Sequence, residues 1–194
     1  PGISQQILAA CPVNCQFAST DYAPLNGVLG AFTGPFYTGP SQANREGIMR
    51  QPNMCTRIRD VLDGLSNTWM MAERAGANDV WRNGIKWHDA GAGTWVEFNG
   101  ATPVNLNNGG GWGDFYNGEF WLAGSLEDGT SPTGRGPCLI NCTNIDTRGL
   151  YSFHPGGLHV LRGDGGVTLV SEFLNTNIIV QAISMDGLTV GGEF

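Results

Sequence analysis

Lysine is almost missing from this chain: Lys86 stands alone beside sixteen asparagines, and Asp, Glu, Lys and Arg together make up 14% of the 194 residues. Helical bundles and coiled coils cover their exposed faces with Glu, Lys and Arg, so this shortage excludes long charged helices. Clustered basic residues are missing as well. With a net charge of -7 and a pI near 4.7, the chain lacks the Lys and Arg groups that phosphate backbones require, which argues against nucleic acid and anionic membrane surfaces as partners. No apolar run approaches the ~20 residues of a spanning helix; stretches such as 177–184 are short and interrupted. No G-x-S-x-G elbow, H-E-x-x-H zinc helix or G-x-x-x-x-G-K phosphate loop occurs. The chain opens at Pro1 without a signal peptide, so a processed or truncated piece with its targeting segment upstream is expected.

Turn-forming and aromatic residues are abundant. Thirty glycines and ten prolines fill about a fifth of the chain, which favours short strands joined by turns. Hydrophobic content is 41%, with six Trp, nine Phe and four Tyr, enough to bury a core and argue against disorder. The length suits a single domain over 1–194. Cys11 and Cys15 form one C-x3-C pair, Cys138 and Cys142 a second, and Cys55 stands between them. Two local disulfides in an oxidising compartment are the favoured reading over a four-thiolate zinc site, whose pairs are more often C-x2-C. Asn141-Cys142-Thr143 matches the N-x-T glycosylation acceptor pattern, although a disulfide at Cys142 would hinder modification.

Arg57 to Leu62 has the pattern of one or two helical turns with Ile58, Val61 and Leu62 on one side. Thr68 to Ala75 is read as a strand, because turn chemistry at Leu65-Ser66-Asn67 and Gly76 outweighs the helix-forming Met, Ala, Glu and Arg. Residues 94–98 and 119–123 are β-like. The connection 105–118 is almost entirely Asn, Gly and aromatic, and a surface loop is the default reading. Its Asn107, Asn108, Asp114 and Asn117 oxygens are weak calcium candidates, since EF-hand spacing is lacking; no other cofactor is expected. Trp81, Trp87, Trp95, Trp112 and Trp121, five of the six tryptophans, lie between Asn78 and Gly134. Packing is their commoner role, but Trp87, Trp95, Trp112 and Trp121 are also candidates to stack on sugar rings. Leu158 to Arg162 and Val167 to Ser171 read as a hairpin around Gly163-Asp164-Gly165-Gly166. A helix follows, capped by Asn175, with Ile178, Ile179, Ala182, Ile183 and Met185 as its apolar stripe and Gly187 as its end.

The string 151–172, YSFHPGGLHVLRGDGGVTLVSE, contains His154, nine residues, then Asp164-Gly165. It resembles the H-X9-DG signature of the large prepilin-like secreted families abundant in Planctomycetes, a domain of unknown function, with His154, Pro155, Gly156, Gly157, Asp164 and Gly165 as the motif. The segment 58–74 through Ser66-Asn67-Thr68 is similar to that family's SNT element, 138–144 to its INCTN element, Cys11-Pro12 to its CPSD element and 191–193 to its terminal GGE. The turn Arg162-Gly163-Asp164-Gly165-Gly166 and Cys11-Pro12-Val13-Asn14 depart from the usual pattern, as does the missing N-terminal leader and hydrophobic helix. The resemblance implies a β-rich α+β fold of pilin or pseudopilin type, with an antiparallel sheet, long loops and a short C-terminal helix. It implies an extracellular or cell-surface subunit that assembles with copies of itself or related pilin-like subunits.

His154 and Asp164 invite a catalytic reading, but the intervening strand spans about 13 Å at ~3.3 Å per residue and sets them at opposite ends of a hairpin. The expected roles are local: Asp164 accepting N–H bonds in its own turn, His154 bonding a neighbouring loop. Arg162-Gly163-Asp164 also spells an adhesion tripeptide, a match expected by chance. A non-catalytic structural subunit is therefore the leading expectation, a secreted carbohydrate- or solute-binding module using the 81–121 region the alternative, and a hydrolase the third.

Overall fold

The computed structural model describes residues 18–29, 45–50, 55–77, 79–89, 96–98, 101–104, 110–112, 115–132, 134–146 and 148–186. A four-stranded sheet positions the candidate site. Its strands are β1 (Tyr22–Pro24), β4 (Trp69–Glu73), β10 (Gly157–Arg162) and β11 (Val167–Ser171), in the order β1-β4-β10-β11 and all antiparallel to their neighbours. A second sheet joins β2 (Gly27–Val28) to β3 (Arg45–Glu46) on one side and to β9 (Trp121–Leu122), in parallel, on the other. Two hairpins stand apart, β5 (Asp79–Arg82) with β6 (Ile85–Asp89), and β7 (Val96–Phe98) with β8 (Ala101–Val104). The one α-helix among the described residues, α1 (Thr176–Ile183), closes the order. The molecule is thus β-rich α+β with a short C-terminal helix, as the sequence predicts.

The hairpin of β10 and β11 falls on the predicted segments. Gly156 takes a left-handed φ of +84°, and a Cβ on Gly157 would collide with the Val170 carbonyl oxygen across the ladder. The Pro-Gly-Gly bend is therefore what lets the chain enter β10 flush against β11. At the other end Asp164 Oδ1 accepts the Gly166 N–H at 2.8 Å, and Gly165 takes φ +87°. Register pairs Leu158 with Val170 and His159 with Leu169. One face of the sheet consequently carries Leu158, Val160 and Val170, buried with Ala23, Trp69 and Ala72 against Ile179, Val180, Ala182 and Ile183 of α1. The opposite face carries Tyr22, Met71, Glu73, His159, Leu161, Val167 and Leu169.

The two edges of this sheet differ. On β1, Pro24 has no N–H to offer, and the Thr20 hydroxyl meets both the N–H and the carbonyl of Tyr22 at 3.4 Å. On β11, ladder alternation turns the N–H and carbonyl groups of Val167 and Leu169 away from β10. Among the described residues no strand lies beyond β11.

Several sequence expectations need adjustment. Only Ile58–Asp60 of the predicted 57–62 turns is helical, as 3-10; Val61 is buried but Ile58 and Leu62 are exposed. The final helix stops at Ile183 rather than near Gly187, because Ser184 turns extended and Met185 donates its N–H to the Glu46 carbonyl at 3.0 Å. Cys138 and Cys142 form a disulfide. Cys55 is exposed and has no disulfide partner among the described residues; Cys11 and Cys15 lie outside them. No helix among the described residues is long and apolar enough to cross a membrane.

Candidate functional site

The family-like segments around residues 74 and 144 build a buried polar brace beside the sheet. Asn144 is fully buried: its side-chain nitrogen donates to the carbonyls of Ala75 at 3.1 Å and Asp79 at 2.9 Å, and its Oδ1 accepts the Trp81 N–H at 2.9 Å. Thr143 Oγ1 donates to the Trp81 carbonyl at 2.9 Å. Arg74 is buried across from it, donating from Nε to the Asn144 carbonyl at 3.0 Å, pairing with Asp146 at 3.9 Å and lying over the Phe120 ring. Asn141 holds a left-handed φ of 62°; its amide nitrogen donates to Glu172 at 2.8 Å and its Oδ1 accepts the Ser152 N–H at 2.9 Å. Arg82 has its pKa lowered by burial, partly opposed by Asp128, and its guanidinium lies 3.5 Å over the Trp87 ring.

That brace ends β4 at Glu73 and leads the chain back through Ser152 into β10. Ser152 Oγ donates to the Gly157 carbonyl at 2.6 Å and accepts the His154 N–H at 3.0 Å, locking the Pro-Gly-Gly bend. On the outer sheet face the carboxylate of Glu73, with its side chain 7% exposed, meets two imidazoles. His154 Nε2 and His159 Nδ1 each lie 3.3 Å from Glu73 Oε1. All three ligand atoms fall within 4.8 Å of one another, and the two rings stand edge-on with centroids 5.0 Å apart. Glu73 Oε2 is held separately by the backbone N–H of His159 at 2.7 Å. The Tyr22 hydroxyl donates to Oε1 at 3.3 Å. Partial burial, then the negative charge and hydrogen bond of Glu73, push the Tyr22 phenol above its ordinary range, so it stays a neutral donor. These groups line an open cavity of about 500 Å³ with Met71, Val160, Leu161 and Val167.

The structure separates His154 from Asp164, as the hairpin geometry predicts: Asp164 sits in the far turn, 3.8 Å from Arg162. It joins His154 instead to His159, which sequence spacing alone does not mark as a ligand, and to Glu73, which the sequence reading passed over. The available signal was that His154 and His159 flank a turn entering a strand; what could not be read was that β4 lies beside β10 and delivers Glu73 to them. Ser152 is bound to backbone groups in its own bend, and Gly165 belongs to the distant turn.

The other candidates lie elsewhere. Trp112 is 75% exposed, Trp87 is exposed beneath Arg82, and Trp121 on β9 packs against Gly27; none of them lines the Glu73 cavity, and Trp95 is outside the described residues. Asn107, Asn108 and Asp114 are also outside them. Asn117 sits on the 3-10 turn Phe115–Gly118, with its Oδ1 buried and unbonded among the described residues.

A family model described as "Protein of unknown function (DUF1559)" matches residues 16–177. No curated protein matches the chain, and neither does any solved structure.

Proposed function

The chain belongs to the DUF1559 family of proteins of unknown function, and on that premise we propose that it is a non-catalytic structural subunit of an extracellular, pilus-like or pseudopilus-like assembly. In this reading it is prepilin-like, its localisation is extracellular or at the cell surface, and its partners are copies of itself. The observation that carries the proposal is the outer face and edge of the four-stranded sheet. Val167 and Leu169 are 65% and 57% exposed on a strand without a charged residue, and Phe173 just beyond is 86% exposed. Soluble chains protect such edges with Lys, Pro or bulges; β11 has none within it. A groove of about 180 Å³ along the same strand, lined by Trp69, Leu169, Val170 and Leu174 among others, offers a seat for an apolar side chain. Because the segment VTLVS carries no charge, a second copy can approach it without the repulsion its net charge of -7 causes elsewhere. The Cys138–Cys142 disulfide supports an oxidising, extracytoplasmic setting.

The carbohydrate-binding alternative has weaker support, because Trp87 has a guanidinium over its ring and Trp112 stands in the open away from the cavity.

Sedimentation of the purified chain tests the proposal, together with a Leu169→Lys variant. Multimers or filaments are expected for the parent chain, with a shift to monomer in the variant and an unchanged circular dichroism spectrum. A parent chain that stays monomeric at high concentration overturns it, as does an assembly indifferent to Leu169→Lys.

A further inference from the structure

We propose that Glu73, His154 and His159 bind a divalent transition metal ion of the zinc class, with its remaining coordination open to the cavity on the outer sheet face.

The spacing of the donors is the first argument. A charge-assisted hydrogen bond between imidazole and carboxylate closes to about 2.7–2.9 Å; the other oxygen of this carboxylate, Oε2, accepts the backbone N–H of His159 at 2.7 Å. Around Oε1 the two imidazole nitrogens, His154 Nε2 and His159 Nδ1, both stand off at 3.3 Å. That separation is long for hydrogen bonds and right for ligands sharing a metal. Bonds of about 2.0–2.1 Å in a tetrahedral site place neighbouring ligand atoms about 3.4 Å apart. The third pair, the two imidazole nitrogens, lies within the 4.8 Å that bounds the set.

Support for the ligands is the second argument. Glu73 and His159 project from adjacent, directly paired strands, and His154 from a bend pinned by Ser152. The Oε2 bond fixes the carboxylate so that Oε1 faces the imidazoles, the kind of outer contact that orients metal ligands. Two imidazoles and one carboxylate are the donor set of open zinc sites, and the nitrogen ligands select against calcium and magnesium. Half-exposed His154 and the cavity leave room for water or an outside ligand at the free position. Tyr22, on the strand flanking β4, donates its hydroxyl to the ligand oxygen Oε1 and so helps to hold the carboxylate.

This inference does not depend on self-assembly, which turns on β11 side chains. The test uses the full chain with disulfides intact, stripped with chelator and titrated with Co2+, then with Zn2+ in competition. One equivalent of Co2+ is expected, with visible ligand-field bands of a four- or five-coordinate site that Zn2+ abolishes. Glu73→Gln should weaken binding at least tenfold, and His154→Ala, on a half-exposed side chain, should do the same while leaving the circular dichroism unchanged. Failure of the parent chain to bind saturably overturns the inference. So does tight binding that survives a His154→Ala, His159→Ala double variant, because the metal would then sit elsewhere.

Discussion

At the scale of single residues, the family-like segments resolve into two kinds of work. Asn144 spans three backbone groups that no strand ladder satisfies, two carbonyls and one N–H. Replacing it by Leu keeps the volume but strands those groups in the interior, at about 1–3 kcal/mol for each buried polar group left unpaired. Asn144→Leu is therefore expected to cost about 3 kcal/mol or more, read as a fall in the urea midpoint with an unchanged slope; a loss below about 1 kcal/mol would show that water replaces the amide. The bend residues do different work, since Gly157 lets two strands touch and Ser152 ties the bend to itself. Their motif was legible in the chain as letters. The partnership of His154 with Glu73 was not, because 81 positions separate them in the numbering and only the β4–β10 ladder makes them neighbours.

At the scale of elements, β10, β11 and the start of α1 could be read from local signals, because each is bounded by a turn or cap whose chemistry is its own. Asn175 caps α1 as predicted, its Oδ1 accepting the Asn177 N–H at 2.8 Å. Asn175→Ala should cost about 1 kcal/mol of stability, seen as a lower thermal midpoint, while Asn175→Asp should cost little. The end of the same helix was not legible, since it is set by the Met185 bond to Glu46, a contact from a different sheet. Thr68 to Ala75 shows the same balance from the other side. Its composition permits a helix, and pairing on both flanks, with Tyr22–Pro24 and with β10, makes it a strand. The parallel pairing of β2 with β9 joins segments more than ninety residues apart and had no local signature.

At the scale of the whole molecule, the acidic balance bears on the proposed self-assembly. A net charge of -7 with one lysine makes two chains repel at low ionic strength, while in the proposed assembly the uncharged β11 surface supplies the apolar contact. Added salt shortens the reach of that repulsion, to about 10 Å at 0.1 M. The average mass in sedimentation should accordingly rise with sodium chloride; a falling mass would mean that ion pairs hold copies together. The unequal edges of the four-stranded sheet constrain the stoichiometry as well. Pro24 and Thr20 shut one side while no strand pairs with β11 on the other among the described residues, so the proposed strand-to-strand joining would terminate at a two-fold pair. Indefinite polymerisation then demands a second, heterologous patch, and an ultrastructure built from repeating doublets is its signature.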